Sequence, residues 1–120
     1  MEKPNILLIV VDSLRSDKFF GAKKSSLTPT IDKLIENGTY FDQTISSAAS
    51  TILAVSSLLT GIYPFKLGLG GTNYKKYPSE SNNIAKILNE HGYTTYATAP
   101  EVATDFGLVC DFKNPDTAYD

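Results

Sequence analysis

Asn5-Ile-Leu-Leu-Ile-Val-Val-Asp12 is a continuous apolar run, rich in branched residues, that begins after Pro4 and ends on a carboxylate. Periodicity does not separate helix from strand in so short a run. Its length and β-branched content favour a strand covered on both faces, as in a parallel sheet. In open parallel sheets, ligands gather beyond the carboxyl ends of the strands. Asp12 stands at such an end, where a carboxylate can hold a hard cation or simply cap the following turn, and the residues leave both readings open. Asp17, close behind it, reads as a surface residue.

Working outward, residues 13–26 are polar and irregular and read as a loop with room for one helical turn. Helix punctuation follows at both ends of one segment: Thr28 suits an N-cap, Pro29 the first helical position and Gly38 the position after the end. Ile31, Leu34 and Ile35 share one face of it. Residues 39–43 read as a short strand or extended segment in which Tyr40 and Phe41 pack. A second helix is expected over residues 51–61, with Ile52, Val55, Leu58 and Leu59 at helical spacing and Gly61 as the stop. Residues 62–76 form a loop punctuated by Pro64, Gly68, Gly70 and Gly71. A third helix, capped by Ser81 or Asn82, points Ile84, Ile87 and Leu88 inward and ends at Gly92. Tyr93-Thr-Thr-Tyr-Ala-Thr98 reads as a strand, and beyond Pro100 the pattern decays, with no cap or core signal over residues 116–120. This order belongs to the α/β class, with a mainly parallel sheet flanked by helices.

Composition bounds the function. With 120 residues, 42% hydrophobic and 20% charged, the chain is an ordinary globular one with material for one core, so a single folding unit is expected. A net charge of -2 offers no general attraction to nucleic acid or anionic lipid, and Lys23-Lys24 and Lys75-Lys76 are isolated pairs rather than a phosphate-tracking stripe. The single cysteine, Cys110, excludes an internal disulfide and a thiolate metal cluster, and fits a reducing compartment. The apolar run at residues 6–11 is too short to span a membrane or to serve as a signal core, so a cytoplasmic location is expected.

Thr51 opens an apolar helix and follows Ser46, Ser47 and Ser50. Free N–H groups and the positive end of the dipole let an anion bind at such a terminus. A threonine hydroxyl there is either a plain cap or a nucleophile, the latter only if a base or a metal lowers its pKa. His91, the single histidine, falls at a helix end where a cation meets the dipole favourably, a structural reading. No Ser-His-Asp triad, paired-histidine zinc motif or phosphate-binding glycine loop can be assembled. A phosphoacceptor receiver domain would need an aspartate after a central strand near mid-chain, where Ser-Ala-Ala-Ser-Thr51 stands instead.

These residues resemble a family. Lys3-Pro-Asn-Ile-Leu-Leu-Ile-Val-Val-Asp-Ser-Leu-Arg-Ser-Asp17 resembles the opening of sulfatases and related members of the alkaline phosphatase superfamily. Thr28-Pro-Thr-Ile-Asp-Lys-Leu34 and Asn37-Gly-Thr-Tyr-Phe41 are similar to the helix and strand that follow there. Ser57-Leu-Leu-Thr-Gly-Ile-Tyr-Pro64 resembles the segment after the nucleophile, and Glu90-His-Gly-Tyr-Thr-Thr95, Asp105-Phe-Gly-Leu108 and Asp111-Phe112 fit later parts.

The resemblance implies the N-terminal part of an alkaline-phosphatase-like α/β domain over residues 1–120, with a chain that looks cut rather than finished. It places the nucleophile ten positions before Gly61, on Thr51, and one metal ligand on Asp12. Sulfatases proper carry Cys or Ser in C/S-x-P-x-R and oxidise it to formylglycine. Here Leu53 replaces the proline and Val55 the arginine, so formylglycine is not expected and a metal-activated threonine is. The paired aspartates of many sulfatases are Asp12-Ser13 here, leaving Asp12 as the acidic ligand. A divalent cation (Ca, Zn, Mn or Mg) is the implied cofactor, with its remaining ligands in the later part of such domains. The implied function is hydrolysis or transfer of sulfuric or phosphoric esters, on a small-molecule, glycan or lipid ester substrate. The altered motif leaves a second reading, a non-catalytic sulfatase-like binding module. Alone, the chain is expected to expose an apolar face and a sheet edge and to be poorly soluble or oligomeric.

Overall fold

A computed structural model describes residues 3–70, 78 and 81–117. The Lys75-Lys76 pair, the loop past Gly70 and residues 118–120 lie outside them. The chain divides into two compact units, Met1–Thr44 and Ile45–Asp120, where its length suggested one. No described residue of the first unit is buried, so that unit holds no core of its own.

The first unit contains α1 (Ser16–Phe19) and α2 (Pro29–Asn37). α2 begins at the expected Thr28–Pro29 step, and the Thr28 hydroxyl reaches forward to Asp32 Oδ1 at 3.2 Å rather than capping a backbone N–H. The Lys24 ammonium also holds the Asp32 carboxylate and keeps its pKa below the usual carboxylate value. Phe20 and Tyr40 pack ring on ring, centroids 4.2 Å apart.

Residues 6–11 depart from the expectation of a buried strand. They join no sheet among the described residues, and every one of them is exposed, Leu7 to 83%. The physical reason is the ladder: a strand is stable only when a neighbour takes up its N–H and C=O groups, and no described segment does so here. Residues 39–43 likewise form no strand. Six successive exposed apolar residues make the expectation of association sharper. The 120-residue chain, expressed alone, should elute in gel filtration as oligomer or aggregate; a monodisperse monomer with a cooperative melt would contradict this.

The second unit holds α3 (Thr51–Thr60), a 3-10 turn (Pro64–Leu67), α4 (Ile84–Glu90), β1 (Tyr96–Ala99), α5 (Glu101–Asp105) and β2 (Asn114–Thr117). β1 and β2 pair in parallel, Tyr96 opposite Asn114 and Ala99 opposite Thr117. Parallel neighbours need a crossover, which α5 and the turns after it supply. This pair is the whole of the parallel sheet among the described residues. β2 arises from Asn-Pro-Asp-Thr, a segment with little strand propensity, in the stretch where the sequence pattern fades.

Leu69 and Leu108 centre the core, and Ile52, Leu53, Val55, Leu67, Ala103 and Phe106 pack against them. α3 turns Ser56 and Leu59 inward and leaves Leu58 half in water, so the inward face is rotated from the expected one. Ser56 lies fully buried because its hydroxyl donates back to the Ile52 carbonyl at 2.7 Å. In α4 the buried residue is Ala85, while Ile84 and Ile87 face outward. Its cap is Asn83, one position past the expected Asn82.

Two glycines end helices for different reasons. Gly61 adopts the left-handed conformation, φ 69°, with open space around it. Gly38 has extended backbone, but a Cβ there would stand 2.7 Å from the Leu34 carbonyl oxygen. Gly38→Ala should therefore cost about 1–3 kcal/mol through the clash. Gly61→Ala should cost roughly 1–2 kcal/mol through backbone conformation. Asparagine separates them in urea unfolding: it should be nearly tolerated at 61 and remain damaging at 38.

Candidate active site

Thr51 is the first residue of α3 and is exposed. The chain enters the helix through Ser50 in a β conformation, and Ser50 makes no side-chain cap to the first turn. A hydroxyl therefore stands where N–H groups and the helix dipole favour negative charge. Of the upstream serines, Ser46 is engaged locally: its Oγ donates to the Ala48 carbonyl at 2.7 Å. Asp12 belongs to the first unit and Thr51 to the second. Asp12 is exposed and sits in a turn whose next residue, Ser13, has φ 58°, the one positive value among the described non-glycine residues.

Among the described residues no three His, Cys, Asp or Glu side chains group as a metal site. Asp12 is thus one hard oxygen donor, and the described residues do not complete a site around it. Leu53 and Val55, which stand where a proline and an arginine were the comparison, are packing residues against the Leu69–Leu108 core. α3 places no cation beside Thr51 from that position.

Other polar groups have structural work. His91 caps α4, its Nδ1 2.8 Å from the Ile87 carbonyl, which can only accept, so that nitrogen carries the proton. Cys110 is exposed, yet partial burial of its thiol and the Asp111 carboxylate 3.7 Å away push its pKa up, the opposite of an activated nucleophile. Asp111 also accepts from Asn83 Nδ2, and its backbone carbonyl from Asn89 Nδ2 at 2.9 Å. Thr95 Oγ1 donates to Asn89 Oδ1 at 3.0 Å. This network joins α4 to the start of β1 and the approach to β2. A shallow hollow of about 270 Å³ lies against Ser47, Ser57, Gly61, Ile62 and Tyr63. It includes neither Thr51 nor Asp12 and no charged side chain.

Sequence reasoning assigned no role to Arg15. It makes a two-point contact with Asp17, Nε to Oδ1 and Nη2 to Oδ2, both 3.0 Å. The signal was available: it is the single arginine of the chain.

The sulfatase family matches residues 4–115. The chain is 33% identical over 104 residues to arylsulfatase D of Homo sapiens, covering 78% of this chain and 18% of that protein. It is 31% identical over 118 residues to N-acetylgalactosamine-6-O-sulfatase of Bacteroides thetaiotaomicron, covering 88% and 23%. With an arylsulfatase of Clostridium perfringens it shares 29% over 114 residues, covering 93% and 24%. The chain spans about a fifth of the length of these relatives. No solved structure matches it.

Proposed function

The chain belongs to the sulfatase family, and from that premise we propose that it supplies the nucleophile and one metal ligand of an enzyme that hydrolyses sulfuric esters. Phosphoric esters are the alternative substrate class. The observation that carries this is Thr51 as the first residue of α3, a helix that the Ser50 side chain does not cap. The Thr51 Oγ1 attacks the sulfur or phosphorus atom as the bond to the alcohol oxygen breaks, the hydroxyl proton ending on the departing alcohol. Water then cleaves the threonyl ester at sulfur or phosphorus, releasing the anion and returning a proton to Oγ1. The N–H groups of the first turn of α3 meet the negative charge that develops.

Threonine separates this chain from the formylglycine typical of sulfatases. Its Cβ already bears a methyl group, so oxidation there would give a ketone in place of the aldehyde. Asp12 is proposed as one donor to a divalent cation, in a set that residues other than the described ones must complete. Family membership also implies an alkaline-phosphatase-like sheet, in which residues 6–11 would find the ladder partners that the described residues lack.

The test uses the full-length protein with an aryl sulfate, an aryl phosphate and an aryl phosphodiester. Hydrolysis of the sulfate, abolished by a chelator and restored by a divalent cation, is the expected outcome. Asp12→Asn should weaken metal affinity by more than the roughly 10–100-fold that losing an outer-shell partner costs. Unchanged metal affinity in that variant removes Asp12 from the site. Absence of turnover on all three esters, with metal bound, would favour the non-catalytic binding module that Leu53 and Val55 suggest.

A further inference from the structure

We draw no further inference here: the strongest candidate, the shallow hollow against Ser47, Ser57, Gly61, Ile62 and Tyr63 at the end of α3, has the buried Ser57 hydroxyl without a hydrogen-bond partner among the described residues, and nothing in the structure shows what covers it.

Discussion

Thr51→Ala in the full-length protein is expected to lower kcat on its preferred ester by on the order of 10,000-fold or more, the scale of losing a covalent nucleophile. The residue opens α3 and is exposed, and the helix starts from the backbone of Ser50 with no help from a cap side chain. The stability of Thr51→Ala is read separately as its urea midpoint, so that a loss of kcat in a folded variant is assigned to the missing hydroxyl. Chemistry and folding thus separate cleanly in this variant. Thr51→Ser should keep a large part of the activity, because the hydroxyl stays at the same helix terminus with only a methyl lost. Quenched reactions with the wild type should trap a covalent adduct on the peptide containing residue 51, and mass spectrometry should find that residue as unmodified threonine in the resting enzyme. Wild-type turnover in Thr51→Ala, or an oxidised residue 51, would end the threonine assignment while leaving family membership intact.

The largest stability effect is expected at Asn83. Its side chain is buried, its Oδ1 accepts the Lys86 N–H at 3.0 Å as the cap of α4, and its Nδ2 donates to the Asp111 carboxylate. Asn83→Ala removes both at once. A lost cap costs about 0.5–2 kcal/mol. A lost hydrogen bond to a charged group costs about 1.5–3 kcal/mol, more so where the carboxylate is left half buried. Together they suggest roughly 2–5 kcal/mol, a large share of the 5–15 kcal/mol that holds a typical domain together. Urea unfolding should show the loss as a lower midpoint. Asn83→Asp isolates the two parts: it keeps an N-cap acceptor but sets a second carboxylate against Asp111. It should therefore be no better than alanine, and recovery to wild-type stability would show that the contact with Asp111 carries little.

Much of the local structure was legible. The ends of α2 at Thr28, Pro29 and Gly38, and of α3 at Thr51 and Gly61, follow from signals that act within four residues of chain. His91 read correctly as a helix-end residue for the same reason. The faces were less legible. Hydropathy alone turns Leu58 inward, yet Ser56 is the buried residue, because a back-bonded small side chain fits the packed side of α3. β2 was invisible because Asn-Pro-Asp-Thr is ordered by its register on β1 rather than by its own propensity.

The candidate site divides in the same way. The residue types and spacing of the chain determined its family, its helix boundaries, Thr51 at a helix start and Asp12 at the close of an apolar run, since each is a pattern along contiguous residues. Only the tertiary structure decided that Val55 and Leu53 serve the core, that Asp17 clamps Arg15, and that residues 6–11 find no ladder partner among the described residues. Burial, pairing and register depend on what comes to lie opposite a residue, and a position along the chain does not carry that information.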